Sequence, residues 1–334
     1  MQSIASRLVV LGTGGTIAGT APGPTDHTAY AAAQLGIADL LAQLPGLAAD
    51  TIDSEQVAQL DSKDMDHATW LCLARRVAYH LARDEVQGIV ITHGTDTLEE
   101  TAYFLHRVLA PVKPVVLTAA MRPATSVQAD GPQNMLDAAT VARWPGAGGV
   151  VAELAGRVIG ATDLRKLHPY RLDAFDAGDA GAIAQVAQGG LTVWRPWAAG
   201  QGPAPLGLAV LPPDAAAWPW VALLTSHAGA DARVLDGLLA QGVDGIVLAA
   251  TGNGTLPAAW QPALRRALDA GVVLVRSTRC AVGALVGEAA DELLRTGPSE
   301  LLPALAGAGG LTPVQARIEL MLALVARRAA GAAT

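Results

Sequence analysis

Aromatic side chains are scarce in this chain, at 4% of 334 residues. That leaves the core to aliphatic and small residues, and the abundant Ala and Gly suit tightly packed helix-on-sheet layers. Charge is also sparse: 16% of residues are charged, and 23 basic against 30 acidic side chains give a net charge of -7. No run of five or more Lys and Arg occurs. Nothing in that balance attracts nucleic acid, so a nucleic-acid binder is excluded on electrostatic grounds. Only two cysteines are present, Cys72 and Cys280, and neither sits in a Cys-x-x-Cys pair. A disulfide framework, a metal knuckle and a dithiol redox motif are thereby excluded. Both cysteines are expected to be small buried hydrophobes. The seven histidines form no H-E-x-x-H or comparable ligand spacing, so no metal and no other cofactor is expected. No stretch approaches the roughly 18 uninterrupted apolar residues of a membrane helix. The N-terminus, MQSIASRLVVLG, lacks a charged segment followed by a long apolar one, and a soluble cytoplasmic protein is expected.

What the chain does contain is an alternation of strand and helix patterns. Arg7 to Leu11, Gly88 to Thr92, Pro114 to Ala119 and Gly149 to Leu154 are short apolar runs bounded by Gly, Pro or polar residues, as buried strands require. Between them, Met65 to Ala82 carries apolar residues at helical spacing, and Thr97 to Leu109 and Gln133 to Ala142 also read as helices. Pro132 just inside a helix start, preceded by Asp130, is an N-terminal signal. Such alternation implies a parallel sheet with helices on both faces, which binds ligands at the carboxyl ends of its strands. Residues 195 to 219 are rich in Pro, Gly and Ala and read as an extended linker. Beyond it, Trp220 to Thr225, Gly245 to Ala250 and Gly271 to Arg276 look like strands, and Thr312-Pro313-Val314-Gln315 opens a last helix with a capping-box pattern. The expected fold is α/β: a larger N-terminal domain (1–195) with a parallel-rich sheet flanked by helices, a linker (196–218), and a smaller C-terminal α/β domain (219–334).

Unusual polar clusters follow the strands. Gly12-Thr13-Gly14-Gly15-Thr16-Ile17 fails the dinucleotide fingerprint at Ile17 and lacks the Lys of a phosphate-binding loop. What remains is a glycine turn that brings backbone close to a ligand and exposes the Thr16 hydroxyl; a purely structural turn is the alternative. Thr92-His93-Gly94-Thr95-Asp96-Thr97 crowds hydroxyl and acid groups at a second strand end. Thr95 or Asp96 could cap the following helix, but capping needs one such residue and not a cluster. A third segment is Asp163-Leu164-Arg165-Lys166; a lone Lys is ordinarily a solvated surface charge.

Together TGGTIAG (13–19), DSKDM (61–65), ITHGTDTLEETAYFL (91–105), AMRPATSVQADGP (120–132) and DLRK (163–166) resemble the bacterial L-asparaginase family, in particular its type II branch. The resemblance extends over nearly the whole chain. It implies that Thr16 is a nucleophile forming an acyl-enzyme, oriented and activated by Tyr30 on the mobile segment that follows. It also implies a second set in which Lys166 serves Thr95 and Asp96 holds the Lys. Ser62 would bind the substrate α-carboxylate and Asp96 its α-amino group. The backbone amides of Gly15 and Thr95 would face the oxyanion, and the Ala120 carbonyl would hold the amide nitrogen. A Thr hydroxyl needs such a partner to become nucleophilic. Tyr30 is aligned by its six-residue distance to Gly36, in a Gly- and Pro-rich segment suited to a lid; an aromatic packed on the next helix is its other reading.

Two departures from the family pattern stand out. Lys63 follows Ser62, where relatives carry Gln or another uncharged residue, and a cation there would weaken binding of an ammonium or shift substrate preference. The acidic residue that completes a neighbouring subunit's site falls near Ala290, with Glu288 and Asp291 adjacent, and has no assignment; Asn253 sits where relatives have an interface Asn. The implied activity is hydrolysis of L-asparagine with glutaminase side activity, because one methylene is discriminated by only about 1 to 3 kcal/mol. A homotetramer, a dimer of dimers, is implied as well. Two alternatives are weaker. An ammonia-supplying amidotransferase subunit would carry an extra N-terminal domain before the first strand. A non-catalytic amino-acid sensor would need Ser62 and Asp96, but not Thr16, Thr95 and Lys166 together.

Overall fold

A computed structural model describes residues 6–45, 47, 51–200, 204–286 and 310–332, which divide into two compact units after Leu208. The larger unit begins with β1 (Arg7–Gly14), in which Leu8 to Leu11 are at most 1% exposed. A strand buried on both faces reads as a continuous apolar run, and this one does. α1 (Ile37–Ala42) and β2 (Ile52–Leu60) follow, then α2 (His67–Leu81), β3 (Val86–Thr92), α3 (Leu98–Leu109), β4 (Pro114–Thr118), α4 (Gly131–Ala142) and β5 (Gly149–Leu154). The sheet has eight strands in the order β10-β9-β6-β5-β4-β3-β1-β2, where β6 is Arg157–Gly160, β9 Ala184–Ala187 and β10 Gly190–Val193. From β2 to β5 every pairing is parallel, and from β5 to β10 every pairing is antiparallel. The carboxyl ends of β4, β3, β1 and β2 therefore lie side by side. Ala119, His93, Gly15 and Asp61 emerge within a few residues of those ends.

Alternate residues of each strand face opposite helix layers. Leu8, Val10, Val90, Val116 and Val151 pack with Ile37 and Leu40 of α1 and with Met135, Ala138 and Ala142 of α4. On α2 and α3, Trp70 and Phe104 stack with ring centroids 4.9 Å apart. A separate two-stranded hairpin, β7 (Arg165–Lys166) with β8 (Phe175–Asp176), carries Lys166.

The smaller unit is a three-stranded parallel sheet, β11 (Val221–Thr225), β12 (Gly245–Ala250) and β13 (Val273–Thr278), in that order. Its helices are α5 (Arg233–Ala240), α6 (Gln261–Asp269) and α7 (Pro313–Ala332). Trp260 is buried with Leu235, Ile246, Leu248 and Leu264, and its indole N–H donates to the Asp231 carbonyl at 2.9 Å. The Thr312–Gln315 capping box forms in both directions, at 3.0 and 3.3 Å. No helix among the described residues is long and apolar enough to cross a membrane.

Several expectations are corrected. Cys72 and Cys280 are free and exposed, not buried; Cys72 lies on the outer face of α2, opposite the stripe of Trp70, Leu73, Ala74 and Val77. The last strand of the small sheet is displaced by two residues from the expected Gly271–Arg276, because the Gly271 amide closes the turn after α6 onto Leu268. Among the described residues of 196–218, the Leu206 and Gly207 amides donate to the Arg107 and Val108 carbonyls at the end of α3, both at 3.0 Å, which satisfies carbonyls a helix terminus leaves open. Short 3₁₀ turns also occupy Leu208–Val210 and Ala215–Ala217.

β2 carries the polar sequence IDSEQVAQL and forms one edge of the sheet. Asp53 binds Arg7 and Arg83, and Glu55 binds Arg76 and His80. The Arg7 guanidinium holds the Asp53 carboxyl below its ordinary value, and Arg76 does the same for Glu55.

Phe104→Ala leaves a void against Trp70 and is expected to destabilise the protein by about 3 to 5 kcal/mol, measured as a lowered urea midpoint; a shift below 1 kcal/mol would mean that the layer recloses.

Candidate active site

The ends of β1 and β3 meet backbone to backbone. A Cβ on Gly15 would lie 2.4 Å from the Gly94 Cα and amide nitrogen, and Gly15 holds φ at +83°. A Cβ on Gly94 would in turn lie 2.4 Å from the Ser62 Oγ. Only glycine fits at both places. Glycine on glycine thus brings the segments carrying Thr16, Thr95 and Ser62 into one locus. Thr13 fastens it by donating its hydroxyl to the Thr92 carbonyl at 2.9 Å.

Thr16 sits on a 3₁₀ turn directly after β1 and is 7% exposed. Its hydroxyl is 2.7 Å from the Tyr30 hydroxyl. Tyr30 arrives on the segment expected to form a lid, residues 20–31, whose two ends are joined by reciprocal Thr20–Ala31 backbone bonds of 2.9 Å. The second reading of Tyr30, an aromatic packed on a helix, does not account for that contact.

Lys166 projects from the hairpin to within 2.9 Å of the Thr95 hydroxyl and 2.7 Å of the Asp96 carboxylate. Neither Thr95 nor Asp96 caps α3; its N-cap is Thr97, which makes no side-chain cap bond and donates its hydroxyl to the Ser62 carbonyl at 2.8 Å. The Ser62 Oγ accepts the Asp96 amide at 3.1 Å. These are the contacts that replace capping, and they explain why the cluster is larger than a cap requires.

The Gly15 amide donates to the Leu60 carbonyl at 2.9 Å. The oxyanion donor expected there is therefore already engaged. The Thr16 and Thr95 amides, by contrast, have no hydrogen-bond partner among the described residues. The Ala120 carbonyl likewise accepts no hydrogen bond among them. It is aimed by its neighbours. Asp130, expected as the cap of α4, makes no cap bond. Its two carboxylate oxygens take the Met121 and Arg122 amides, each at 2.9 Å, while Asn134 donates to the Ala119 carbonyl at 2.8 Å. Burial still holds the Asp130 carboxyl above its ordinary value.

Behind the site lies a chain of fixed polarity. Burial lowers the His93 pKa to about 4, so the ring is neutral. Its Nδ1 faces the Gly94 carbonyl at 2.7 Å and must carry the proton. Its Nε2 therefore accepts from the Thr101 hydroxyl at 2.9 Å, and Thr101 accepts the Trp70 indole N–H at 2.9 Å. Glu99, in the first turn of α3, accepts the Lys166 backbone amide at 2.8 Å. Burial pushes its carboxyl up to about 7, although the Lys166 amide pulls it down.

All of the expected site residues converge, then, on the ends of β1 to β4 and the β7–β8 hairpin. Asp130, His93, Thr101 and Glu99 were not anticipated as residues of the site. The sequence signal for them was present only as membership of the long motif stretches. Lys63 is 61% exposed and turns to Asp61 at 2.5 Å and Asp64 at 3.4 Å. Asn253 is bound on both side-chain atoms to the Val286 backbone, at 3.0 and 2.9 Å. Glu288, Ala290 and Asp291 lie outside the described residues.

The model of the N-terminal asparaginase domain matches residues 7–198, and that of the C-terminal glutaminase/asparaginase domain matches residues 220–331. The chain belongs to the asparaginase family. A probable periplasmic L-asparaginase of Haemophilus influenzae is 35% identical over 95% of this chain and 88% of the relative. L-asparaginase 2 of Escherichia coli is 33% identical over 95% and 88%. A glutaminase-asparaginase of Pseudomonas fluorescens biotype A is 32% identical over 96% and 86%. The crystal structure of a probable cytoplasmic L-asparaginase from Campylobacter jejuni aligns with a TM-score of 0.85 at 33% identity, covering 96% of this chain and 95% of that one. The two-domain α/β architecture of this asparaginase-family chain is thus also that of a solved relative.

Glu99 and His93 give this asparaginase-family protein opposed pH dependences. Folded Glu99 keeps its proton up to about pH 7, whereas the unfolded side chain loses it near 4.5. Its contribution to stability therefore falls as pH rises through that window. Folded His93 refuses a proton down to about 4, against 6.5 unfolded, so its contribution is lost as pH falls through that window. Glu99→Gln is expected to be more stable than the parent at pH 8 by at most about 3 kcal/mol, an advantage that vanishes below about pH 5. Urea denaturation at the two pH values measures it, and an equal difference at both would exclude the buried carboxyl as its source.

Proposed function

We propose that this protein hydrolyses the side-chain amide of L-asparagine to aspartate and ammonia through an acyl-threonine, with L-glutamine as a side substrate. The observation that carries the reading is the 2.7 Å contact between the Thr16 and Tyr30 hydroxyls, at a locus where unpaired main-chain donors face the same strand ends. The names of the relatives, L-asparaginase and glutaminase-asparaginase, support the substrate class.

In this reading Thr16 Oγ1 attacks the amide carbon. Its proton passes to the Tyr30 oxygen as the Tyr30 proton passes to the departing nitrogen, so no tyrosinate accumulates. The carbonyl oxygen takes the electron pair and is met by the Thr16 and Thr95 amides, each such donor being worth roughly 3 to 4 kcal/mol. The Ala120 carbonyl orients the nitrogen, which leaves as ammonia. Water then attacks the Thr16 ester, aspartate departs, and Thr16 recovers its proton. Lys166 keeps the Thr95 hydroxyl and the Asp96 carboxylate in place, so that Asp96 faces the substrate ammonium and Ser62 its carboxylate. Because Asp61 and Asp64 balance Lys63, the ammonium does not meet a bare cation. An α-amino acid is therefore retained as the substrate.

The homotetramer implied by the resemblance, and a cytoplasmic location, belong to the same proposal. The names of the relatives include both periplasmic and cytoplasmic proteins. The free, exposed Cys72 and Cys280 thiols favour a reducing compartment.

Ammonia release from L-asparagine and L-glutamine is the direct assay. Thr16→Ala should abolish turnover while aspartate still binds, and Lys166→Met should fold normally but lose at least about a hundredfold in kcat. Full activity in either variant removes that residue from the mechanism, and absence of turnover by the parent with bound aspartate would leave an amino-acid sensor. Light scattering should give four times the chain mass, with the protein in the cytosolic fraction of its cells; an active monomer, or an exported protein, would overturn those two points.

A further inference from the structure

The lid is tied down along one side by backbone and hydroxyl contacts. Ala124 donates to the Gly19 carbonyl at 2.9 Å, Val127 to the Pro24 carbonyl at 3.0 Å, and the Thr125 hydroxyl accepts the Ala21 amide at 2.9 Å. All of these contacts fall before Asp26. The tip then turns on the Asp26 carboxylate, which accepts the Thr28 and Ala29 amides at 3.0 and 2.8 Å. Two side chains reach out of the lid here: His27, within that turn, and Tyr30, just beyond it, to Thr16.

His27 Nδ1 is 3.0 Å from the Tyr170 hydroxyl, with the rings tilted at 37° and their centroids 6.5 Å apart. Among the described residues this is the one hydrogen bond between the lid and the loop that follows Lys166. Tyr170 is itself held from below. The Arg122 guanidinium lies 4.0 Å from its ring centroid, and Arg122 Nη1 donates to the Tyr170 carbonyl at 2.8 Å and to the Met121 carbonyl at 3.2 Å. Arg122 is 6% exposed, and its backbone amide is one of the two that Asp130 binds. The Tyr170 and Arg171 amides both donate to His168 Nδ1 at 3.0 Å, which shapes the same loop. The ring is thus fixed at its base by a buried cation, and only its hydroxyl end is offered to the lid.

We propose that Tyr170 is a docking post for the lid and that His27 and Tyr170 are positioning residues acting through Tyr30. The post joins three segments that end in the site: the lid with Tyr30, the loop after β4 with Ala120, and the loop after β7 with Lys166. When His27 is docked on Tyr170, the lid tip three residues before Tyr30 is fixed from a second direction, and the Tyr30 hydroxyl is held against Thr16. Without it, the tip keeps only its own turn. The docked population, and with it the fraction of protein whose Thr16 has its partner, falls by the worth of one hydrogen bond. The inference rests on the proposed role of Tyr30 as the partner of the nucleophile.

The test is kcat/KM for L-asparagine in His27→Ala, Tyr170→Phe and the double variant, each made in the parent and in Tyr30→Phe. Tyr170→Phe keeps the ring on Arg122, so the loop retains its anchor, and thermal unfolding checks that every variant is folded. In the parent, each single change is expected to lower kcat/KM about fivefold, the worth of one net hydrogen bond, and the double variant to fall no further than either single. In Tyr30→Phe, neither change should lower the residual rate again. If Tyr30→Phe loses activity but the two single variants equal the parent, the docking post is refuted and the role of Tyr30 stands. If the single changes are as damaging in Tyr30→Phe as in the parent, they act on something other than Tyr30, and the proposal is equally refuted. If Tyr30→Phe is fully active, the reading of Tyr30 falls first and the post with it.

Discussion

One close approach of two backbones sets the rest of the site. Gly15 and Gly94 touch backbone to backbone at adjacent strand ends, and the far side of Gly94 is closed by Ser62. A side chain at Gly15 would force the β1 and β3 ends apart, and one at Gly94 would displace Ser62. The distance between the Thr16 and Thr95 segments would then no longer follow from sheet geometry. With glycine at both places, that distance is as rigid as the hydrogen-bonded pairing of β1 with β3. Rigid parallel strands thus deliver flexible chemistry, and the hydroxyls need only short turns to reach one another. The hairpin and the lid, which are less regular, then add Lys166 and Tyr30 onto a fixed base.

Electrostatics follow from the same packing. Because the segment after β3 is buried between strand ends, His93 is kept neutral and Glu99 is driven toward its protonated form. Both side chains bind backbone groups of the site: His93 the Gly94 carbonyl, Glu99 the Lys166 amide. Neither is placed to attack a substrate. Their work is to hold main-chain atoms, as Asp130 does for Met121 and Arg122. In the proposed mechanism the groups that face the substrate are in large part backbone amides and a backbone carbonyl, and the buried ionisable residues hold the main chain beside them.

Much of this was legible in the chain. β1, β3, β4 and β5 announce themselves as apolar runs because both their faces are covered, and polar clusters directly after such runs point to strand-end chemistry. β2 escaped because an edge strand with charges on its open side has no apolar run to read. The β7–β8 hairpin escaped because two residues per strand carry no periodicity. For Gly15, a glycine turn signals close backbone approach without saying to what, and here its amide donates to Leu60. Asp130 before Pro132 had every mark of a cap, yet a carboxylate that can reach two amides across a loop does better there than on its own helix. Cys72 was misjudged because burial of a small residue depends on which side of a helix it occupies, and it falls outside the stripe; Cys280 lies in a bend after β13, where no periodicity signals exposure.

The charged edge strand has a colloidal consequence. An open sheet edge is a template for another strand, and β2 discourages such addition by surrounding its open side with Asp53, Glu55 and their arginine partners. That protection is made of ionised carboxylates held below their ordinary values by those same arginines. It therefore persists well into acid, and where the two carboxylates finally neutralise, Arg7, Arg76 and Arg83 remain charged and the edge becomes a cationic boundary. Like charges thus face any second copy whether the carboxylates are ionised or not, and strand addition at this edge is opposed across the whole acid range by a boundary that changes sign without disappearing.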